Sequence, residues 1–490
     1  MKGVEKMNDS LMTCEELLEA NAGSFVVGNK AAFGFTSVVT DSRAVKPYSL
    51  FVPLVGQNQN GHIYIPDSIK KGASVIFIGE DEYRSAGEKY EALAKENSGV
   101  CLVVVRNTLT ALQNAAARYV QKFPSLIKVG ITGSSGKTTT KEMTAAVLGQ
   151  KYNVVYTQGN FNSETGLPLS VFNIRKEHEV GVFEMGMNRE NEIGEISSVL
   201  KAQFALITNV GTAHIGILGS RKNIAIEKRK IFEYIPSDGA AFIPAEDDFA
   251  DFLGERVRGA VVLYGESVPE NDSGARFVED RGLEGTVFAL DGVEIHLRQP
   301  GVYNYRNALG ACAMAKWLGV DAMQVKAALE GLESVSGRME TASAVLKSGA
   351  AVTLIKDCYN ANPDSMLSVL RFCGSLKKDA RKLFVLGDMR ELGEKSRAEH
   401  ECVALFAARS KPALLVLVGE EMRAGYEAVK AYGFCDVVYI PECDAAAMQR
   451  AADEIVGFAK DGDVVLLKAS HGLSLERIVP LVSKDGAQNG

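Results

Sequence analysis

The chain has 490 residues, which at roughly 150 residues per domain predicts about three domains. Its 54 basic and 61 acidic residues give a formal charge of −7, excluding a surface built to coat nucleic acid or anionic membrane. Hydrophobic residues at 46% and charged residues at 23% match a packed globular protein and exclude disorder of the whole chain.

None of the 8 cysteines forms a C-x-x-C pair, so zinc and thioredoxin-type sites lack support and buried reduced thiols are expected. Residues 1–6 lack the apolar core of a signal peptide. No apolar run reaches the ~18 residues that a membrane span needs. A cytoplasmic enzyme, without membrane or nucleic-acid partners, is expected.

In chain order, residues 36–108 alternate short strands (51–54, 75–78) with helices, one of them ending on Gly72. An Ala-rich stretch over 110–123 predicts a helix stopped by Pro124, so a boundary falls near 108–125. An apolar strand over 127–131, a Gly/Ser turn and a long helix from Lys137 follow. Buried-type strands recur at 180–183 and 204–207, and strands alternating with helices predict a mostly parallel sheet. Residues 286–290 and 293–297 flank Asp291-Gly292, a hairpin signal. Helices over 304–318 and 322–330 lead to a hinge at 331–337. Residues 383–386, 413–418 and 464–467 read as buried parallel strands, and 484–490 as a frayed end.

The sharpest local signal is Gly133-Ser134-Ser135-Gly136-Lys137-Thr138-Thr139, between a strand and a helix. Successive N–H groups in such a turn can wrap a phosphate, and the helix N-terminus adds positive charge. Lys137 is placed to reach the β and γ phosphates, and the Thr138 hydroxyl to meet Mg²⁺. Ile131 stands where the strict G-x-x-x-x-G-K pattern has its first Gly. Glu184 ends the 180–183 strand, where a carboxylate can hold Mg²⁺ or cap a helix. His214 follows the 204–207 strand at the same end of the sheet; a lone His is usually structural, and Mg²⁺ prefers oxygen. Lys228 lies in a helical stretch, and its spacing alone does not separate a ligand from a solvated charge. Ser-His-Asp catalysis lacks support, because no G-x-S-x-G elbow appears.

Longer stretches accompany these residues: Thr40-Asp41-Ser42-Arg43, Gly159-Asn160-Phe161-Asn162, Glu184-Met185-Gly186-Met187-Asn188-Arg189, Thr208 through Ser220, Asn304-Tyr305-Arg306-Asn307, Gly337-Arg338-Met339-Glu340, Asp357 through Met366, and Leu386 through Gly393. In this order the chain resembles the Mur ligases, ATP-dependent amide-forming enzymes of peptidoglycan synthesis, from about Thr40 to about Glu476. The resemblance implies an α/β fold of three domains. These are an N-terminal α/β UDP-precursor-binding domain (1–108), a central P-loop ATPase-type parallel sheet (109–336) and a C-terminal Rossmann-like domain (337–490). The E-M-G-M-N-R, T-N-V-G-T-A-H-I and Y-N-A-N-P-D-S stretches favour the branch that joins D-alanyl-D-alanine to UDP-N-acetylmuramoyl-tripeptide. That chemistry needs ATP to turn a carboxylate into an acyl phosphate, which the incoming amine then attacks.

The resemblance also implies residue roles. Gly133, Ser134, Ser135, Gly136, Lys137, Thr138 and Thr139 would hold the ATP phosphates. Thr138 and Glu184 would bind one Mg²⁺ and His214 a second, with Lys228 carbamylated into an oxygen ligand. Asn304 and Asn307 would contact adenine, although an N-cap plus a solvated Asn also fits. Arg338 and Asp357 would reach the nucleotide from the C-terminal domain; a hinge salt bridge also fits Arg338. Tyr359, Asn360 and Asn362 would share that closing surface. Ser42, Arg43 and His62 would form the UDP-side pocket, His62 equally fitting a turn residue. Asn160, Asn162, Glu164 and Thr165, with Arg189, would grip the muramyl-peptide end. Nothing demands an oligomer, so a monomer is expected.

Four positions depart from the family pattern: Ser163, Glu190-Asn191, the stretch from Ala245 to Asp248, and His471 in Lys468-Ala469-Ser470-His471. The last replaces a permanently charged Arg by a residue only partly charged at neutral pH. Other readings are a relative adding a different amino acid, a P-loop switch or motor, and a degenerate binding protein. The switch reading leaves 1–108 and 337–490 unexplained. Retention of Lys137, Thr138, Glu184, His214 and Lys228 together argues against the degenerate one.

Overall fold

Apolar runs bounded by turn residues become strands of four sheets in this computed structural model, which describes residues 10–56, 59–269, 275–333, 337–376 and 380–484. The first sheet comprises β1 (Phe25–Gly28), β2 (Ser37–Val39), β3 (Ser49–Phe51), β4 (Ala73–Gly79) and β5 (Cys101–Val105) in the order β1-β5-β4-β3-β2. Its β2 to β5 pair in parallel, and β1 closes the edge antiparallel to β5. The helix Thr108–Val120 follows, two residues earlier than its apolar pattern suggests. Asn107 is the reason: its Oδ1 accepts from Thr110 N at 2.9 Å and caps the first turn.

The second sheet holds β6 (Ile127–Thr132), β7 (Val154–Tyr156), β8 (Val180–Glu184), β9 (Phe204–Ile207), β10 (Ala240–Pro244) and β11 (Ala260–Tyr264), in the order β11-β10-β9-β6-β8-β7. All its pairings are parallel, as the strand–helix alternation predicts. β6, β8 and β9 are apolar runs buried on both faces, the condition of a parallel sheet covered by helices. Each buried Val, Leu or Ile side chain stabilises by roughly 1.5–3 kcal/mol. The order has a functional consequence: β6 lies between β8 and β9, so the loops leaving their C-terminal ends are neighbours. Ile131 pairs with Glu184, and Thr132 with Ile207.

A small antiparallel sheet, β12 (Arg276–Asp280), β13 (Thr286–Leu290) and β14 (Val293–Leu297), contains the expected hairpin. Asp291 and Gly292 turn it with φ of 49° and 79°, the left-handed pair that a two-residue hairpin loop needs. The helix Val302–Trp317 then begins just after Gly301. The expected hinge at 331–337 falls partly on 334–336, outside the described residues; so do 485–490 of the expected frayed end.

The fourth sheet joins β15 (Glu340–Val345), β16 (Ala351–Asp357), β17 (Lys382–Gly387), β18 (Leu414–Val418), β19 (Val437–Ile440) and β20 (Val464–Lys468) in the order β15-β16-β20-β17-β18-β19. It is parallel except for β15, which pairs antiparallel with β16. Among the described residues no helix is long and apolar enough to cross a membrane.

Candidate active site

Neighbouring parallel strands bring three sequence-distant groups together. β6 runs into the Gly/Ser turn and the helix Lys137–Leu148, β8 ends on Glu184, and β9 feeds the loop carrying His214. Thr138 Oγ1 donates to Glu184 Oε2 at 2.8 Å, and Asn162 Nδ2 donates to the other carboxylate oxygen at 2.6 Å. Glu184 is 1% exposed, so these bonds hold a buried anion beside the phosphate loop.

The turn itself differs from a loop of free donors. Ser134 N donates to Asn209 O at 3.0 Å, and Ser135 N to Asn209 Oδ1 at 3.1 Å. The expectation that successive N–H groups face a phosphate is therefore corrected at these two positions, because Asn209 from the neighbouring strand end occupies them. The first intrahelical bond is Thr140 N to Gly136 O at 2.8 Å. The N–H groups of Gly136, Lys137, Thr138 and Thr139 thus precede any intrahelical acceptor, and these four suit a phosphate. Gly136 has φ +79°, and a Cβ there would sit 2.2 Å from Asn307 Oδ1, so backbone freedom and close approach both require glycine. Lys137 Nζ donates to Gly133 O at 2.9 Å. Burial, helped by the Arg338 charge, holds Lys137 below the usual lysine range, with Glu184 opposing.

Behind this wall lies Lys228, in the helix Arg221–Arg229 and 1% exposed. It does not line the cavity, and its ammonium has no hydrogen-bond or ion-pair partner among the described residues. Burial, reinforced by the nearby Lys137 charge, pushes it well below the usual lysine range. His214 adopts φ 63°, and its Nδ1 lies 2.5 Å from Glu391 Oε2, off the hydrogen-bonding line. Burial lowers its pKa against the pull of Glu391.

The C-terminal sheet supplies the opposite wall. Arg338 Nη2 donates to Thr138 Oγ1 at 2.8 Å, and its guanidinium lies 4.0 Å from the Tyr359 ring centre. Asp357 pairs in register with Lys468, whose buried Nζ donates to Asp357 Oδ2 at 2.6 Å and to Asn360 O at 3.1 Å. Asn362 Oδ1 accepts from Ser365 N at 2.9 Å, so that oxygen caps the helix Pro363–Ser375. Asn304 Nδ2 donates to Pro300 O at 2.8 Å, and Asn304 Oδ1 accepts from Asn307 Nδ2 at 3.3 Å. These groups line one cavity of about 1340 Å³, together with Ser134, Ser135, Thr139, Asn160 and His471.

Other expected residues lie away from it. Arg43 is exposed and paired with Asp41 at 2.7 Å, while buried Ser42 offers its carbonyl to Lys71 Nζ at 3.0 Å. His62 is 3% exposed; its Nε2 accepts from Gly79 N at 2.9 Å, and its Nδ1 meets Asn60 Oδ1 at 2.7 Å. Both ring nitrogens are thereby occupied, which fits the turn-residue reading. Glu164, Thr165 and Arg189 do not line the cavity; Arg189 is paired with Glu164 and Glu195 instead. Sequence reasoning missed Asn209, Asp364, Gln299 and Glu391. Asn209, Asp364 and Glu391 sit inside quoted motifs, but which groups they bind depends on loop packing.

Three family models match the chain: the Mur ligase family catalytic domain at residues 34–120, the Mur ligase middle domain at 131–315 and the Mur ligase glutamate ligase domain at 337–471. The UDP-N-acetylmuramoyl-tripeptide–D-alanyl-D-alanine ligase of Treponema pallidum is 40% identical over 97% of this chain and 100% of its own length. A crystal structure of MurF from Acinetobacter baumannii superposes with a TM-score of 0.80 at 26% identity, covering 95% of this chain and 97% of that one. The MurF ligase from Thermotoga maritima in complex with ADP gives 0.72 at 25% identity, covering 91% and 96%. The chain belongs to the Mur ligase family.

Proposed function

We propose that this chain joins D-alanyl-D-alanine to UDP-N-acetylmuramoyl-tripeptide in an ATP-driven amide-forming reaction of peptidoglycan precursor synthesis. The observation that carries the reading is one cavity walled by a phosphate-type loop on one sheet and by Arg338, Asp357 and Tyr359 on another. Likeness over nearly the full length to ligases of that name supports it. Residues 1–108, 109–336 and 337–490 then act as precursor-binding, ATP-binding and closing units, in a chain working as a monomer in the cytoplasm.

Lys137 and the four N–H groups at the helix start neutralise the phosphoryl group as it moves to the tripeptide carboxylate. The resulting acyl phosphate is attacked by the dipeptide amine, and phosphate leaves. Asn304 and Asn307 hold the base, and Arg338 and Asp357 the nucleotide from the closing side. Asn160 and Asn162, with Glu164, Thr165 and Arg189, face the muramyl-peptide end, and Ser42 and Arg43 the uridine end.

The donor set fits Mg²⁺: Thr138 and Glu184 offer oxygen, and this hard ion takes few protein ligands when substrate phosphates share it. No group of three His, Cys, Asp or Glu side chains could hold a metal alone among the described residues. Mg²⁺ bound there would neutralise charge on the phosphates. A second ion would be held by His214 and by Lys228 as its carbamate. Lys228 suits that modification because burial disfavours its charged form, and the free amine is the form that adds CO₂, losing a proton to become an anionic oxygen ligand.

Phosphate release from ATP and Mg²⁺ tests the reading, with tripeptide precursor and D-Ala-D-Ala supplied singly and together. Release that needs both, with a mass gain of one dipeptide, is expected. Release independent of the dipeptide overturns the assigned acceptor.

A further inference from the structure

Lys141 lies one helical turn beyond Lys137, on the helix that leaves the phosphate loop, and its side chain is 0% exposed. A buried ammonium is costly unless it is paired and hydrogen-bonded. Its Nζ donates to Glu142 Oε1 and, at 2.8 Å, to the backbone carbonyl of Thr157, and it lies 5.2 Å from the Tyr156 ring centre. No step of the proposed reaction uses this charge.

Buried Thr157 follows the last residue of β7. The parallel pairing of β7 with β8 sets Tyr156 opposite Val182, so Thr157 falls opposite Phe183. Thr157 N keeps the ladder bond to Val182 O at 3.0 Å. In a continued parallel ladder its carbonyl would accept from Glu184 N. Lys141 takes that carbonyl instead, and Glu184 N donates to Thr157 Oγ1 at 3.1 Å. The strand therefore stops at Tyr156, and the chain turns out of the sheet into residues 158–162. That loop ends on Asn162, whose Nδ2 donates to Glu184 Oε1 at 2.6 Å and whose carbonyl accepts from Gly186 N at 2.7 Å.

We propose that Lys141 is a positioning residue: by capturing the Thr157 carbonyl it turns the chain out of β7 and sets Asn162 against Glu184, fixing that carboxylate for Mg²⁺. This inference rests on the ATP-dependent ligase reading, in which Glu184 is a metal ligand, and adds a residue that touches neither ion nor substrate. Glu184 is held from two sides. Thr138, three residues before Lys141 on the same helix, donates to Oε2, and Asn162, placed through Thr157, donates to Oε1. Without the ammonium, the Thr157 carbonyl is free to take Glu184 N, which extends β7 by one residue and draws Asn162 off the carboxylate.

Electron paramagnetic resonance of Mn²⁺ tests this without turnover. The full chain is titrated with Mn²⁺ in the presence of ADP, and the same titration without protein is subtracted, which separates affinity from the number of sites. Lys141→Met should weaken Mn²⁺ about three- to tenfold, the scale of one net hydrogen bond, with the number of sites per folded chain unchanged. Asn162→Ala should weaken it by a similar factor, and the double variant no more than either alone, because both remove the same bond. Wild-type affinity in folded Lys141→Met overturns the proposal, and so do factors that multiply in the double variant. A fall in the number of sites at unchanged affinity is the mark of a merely structural role and overturns it too. If Lys141→Met does not fold, a crystal structure of the wild type with ADP and Mg²⁺ decides. Glu184 on the ion, with Lys141 on the Thr157 carbonyl and Asn162 on Glu184, supports the proposal, and loss of any of these contacts overturns it. A wild type that takes up no Mn²⁺ removes the metal reading itself, an outcome distinct from unchanged affinity in the variant.

Discussion

Asp364 Oδ2 accepts hydrogen bonds from both the backbone N–H of Thr212, at 2.6 Å, and the Thr212 hydroxyl, at 2.8 Å. Asp364 opens the helix Pro363–Ser375 of the C-terminal sheet unit, whereas Thr212 belongs to the loop that carries His214. The approach is close enough that a Cβ on Gly211 would sit 2.3 Å from the same oxygen. A second tie lies nearby, Gly216 N donating to Glu391 O at 3.0 Å. The C-terminal unit therefore grips the His214 loop directly, and docking of the two units and placement of that loop are one event.

Asp364→Ala should separate them. Losing hydrogen bonds to a charged acceptor costs about 1.5–3 kcal/mol, roughly 10- to 150-fold in turnover if closure precedes chemistry. ATP affinity should fall less than turnover, since the phosphate loop lies on the other unit and only Arg338 and Asp357 reach the nucleotide from the closing side. Steady-state kinetics with separate kcat and KM for ATP checks this; a raised KM with intact kcat would contradict it.

Lys137→Ala should abolish ligation, with a loss of at least about 100-fold expected for removing a charge aimed at the transferring phosphoryl group. Binding of the UDP precursor, measured calorimetrically, should persist. Substantial residual ligation would refute the phosphate-loop assignment.

For Lys228, removal of the buried amine in Lys228→Ala should eliminate activity, and a small carboxylate added to the assay should restore part of it. Depleting CO₂ from the buffer should slow the wild type. Full activity of the variant without additive would argue that the lysine is never carbamylated.

A pH dependence follows from His62. Burial depresses its pKa below the usual 6.5, against the pull of Glu82. Between the depressed value and 6.5 the unfolded chain binds the proton more readily, so stability rises with pH through that window and falls on acidification. The neutral ring accepts from Gly79 N, a bond that protonation breaks. Thermal melts should show the wild type losing its advantage over His62→Gln as pH drops from 7.5 to 5. A constant difference between the two proteins would exclude the mechanism.

Much of the architecture was readable from local pattern. Runs such as 180–183 and 464–467 are apolar without alternation, which demands burial on both faces and hence a parallel sheet with helices around it. The Asp291-Gly292 pair encoded its own hairpin, because only such residues tolerate two left-handed positions in succession. The antiparallel edge strand β15 was not readable: Glu340–Val345 is half-exposed, and its pairing depends on β16 rather than on its own residues.

The same division holds in the cavity. A lysine after a Gly/Ser turn, or a glutamate ending a buried strand, announces its chemistry through neighbours a few positions away. Those covalently adjacent residues determine backbone conformation and helix start, so composition and order suffice to nominate Lys137, Thr138 and Glu184. Which hydrogen bonds remain available was decided only by packing. Asn209 occupies two loop N–H groups, His62 faces inward with both nitrogens engaged, Lys228 lies behind the wall without a partner, and Gln299 keeps one unmet oxygen. Each depends on a contact between segments far apart in the chain, and the free energy of such contacts is set by burial and geometry that no local spacing contains.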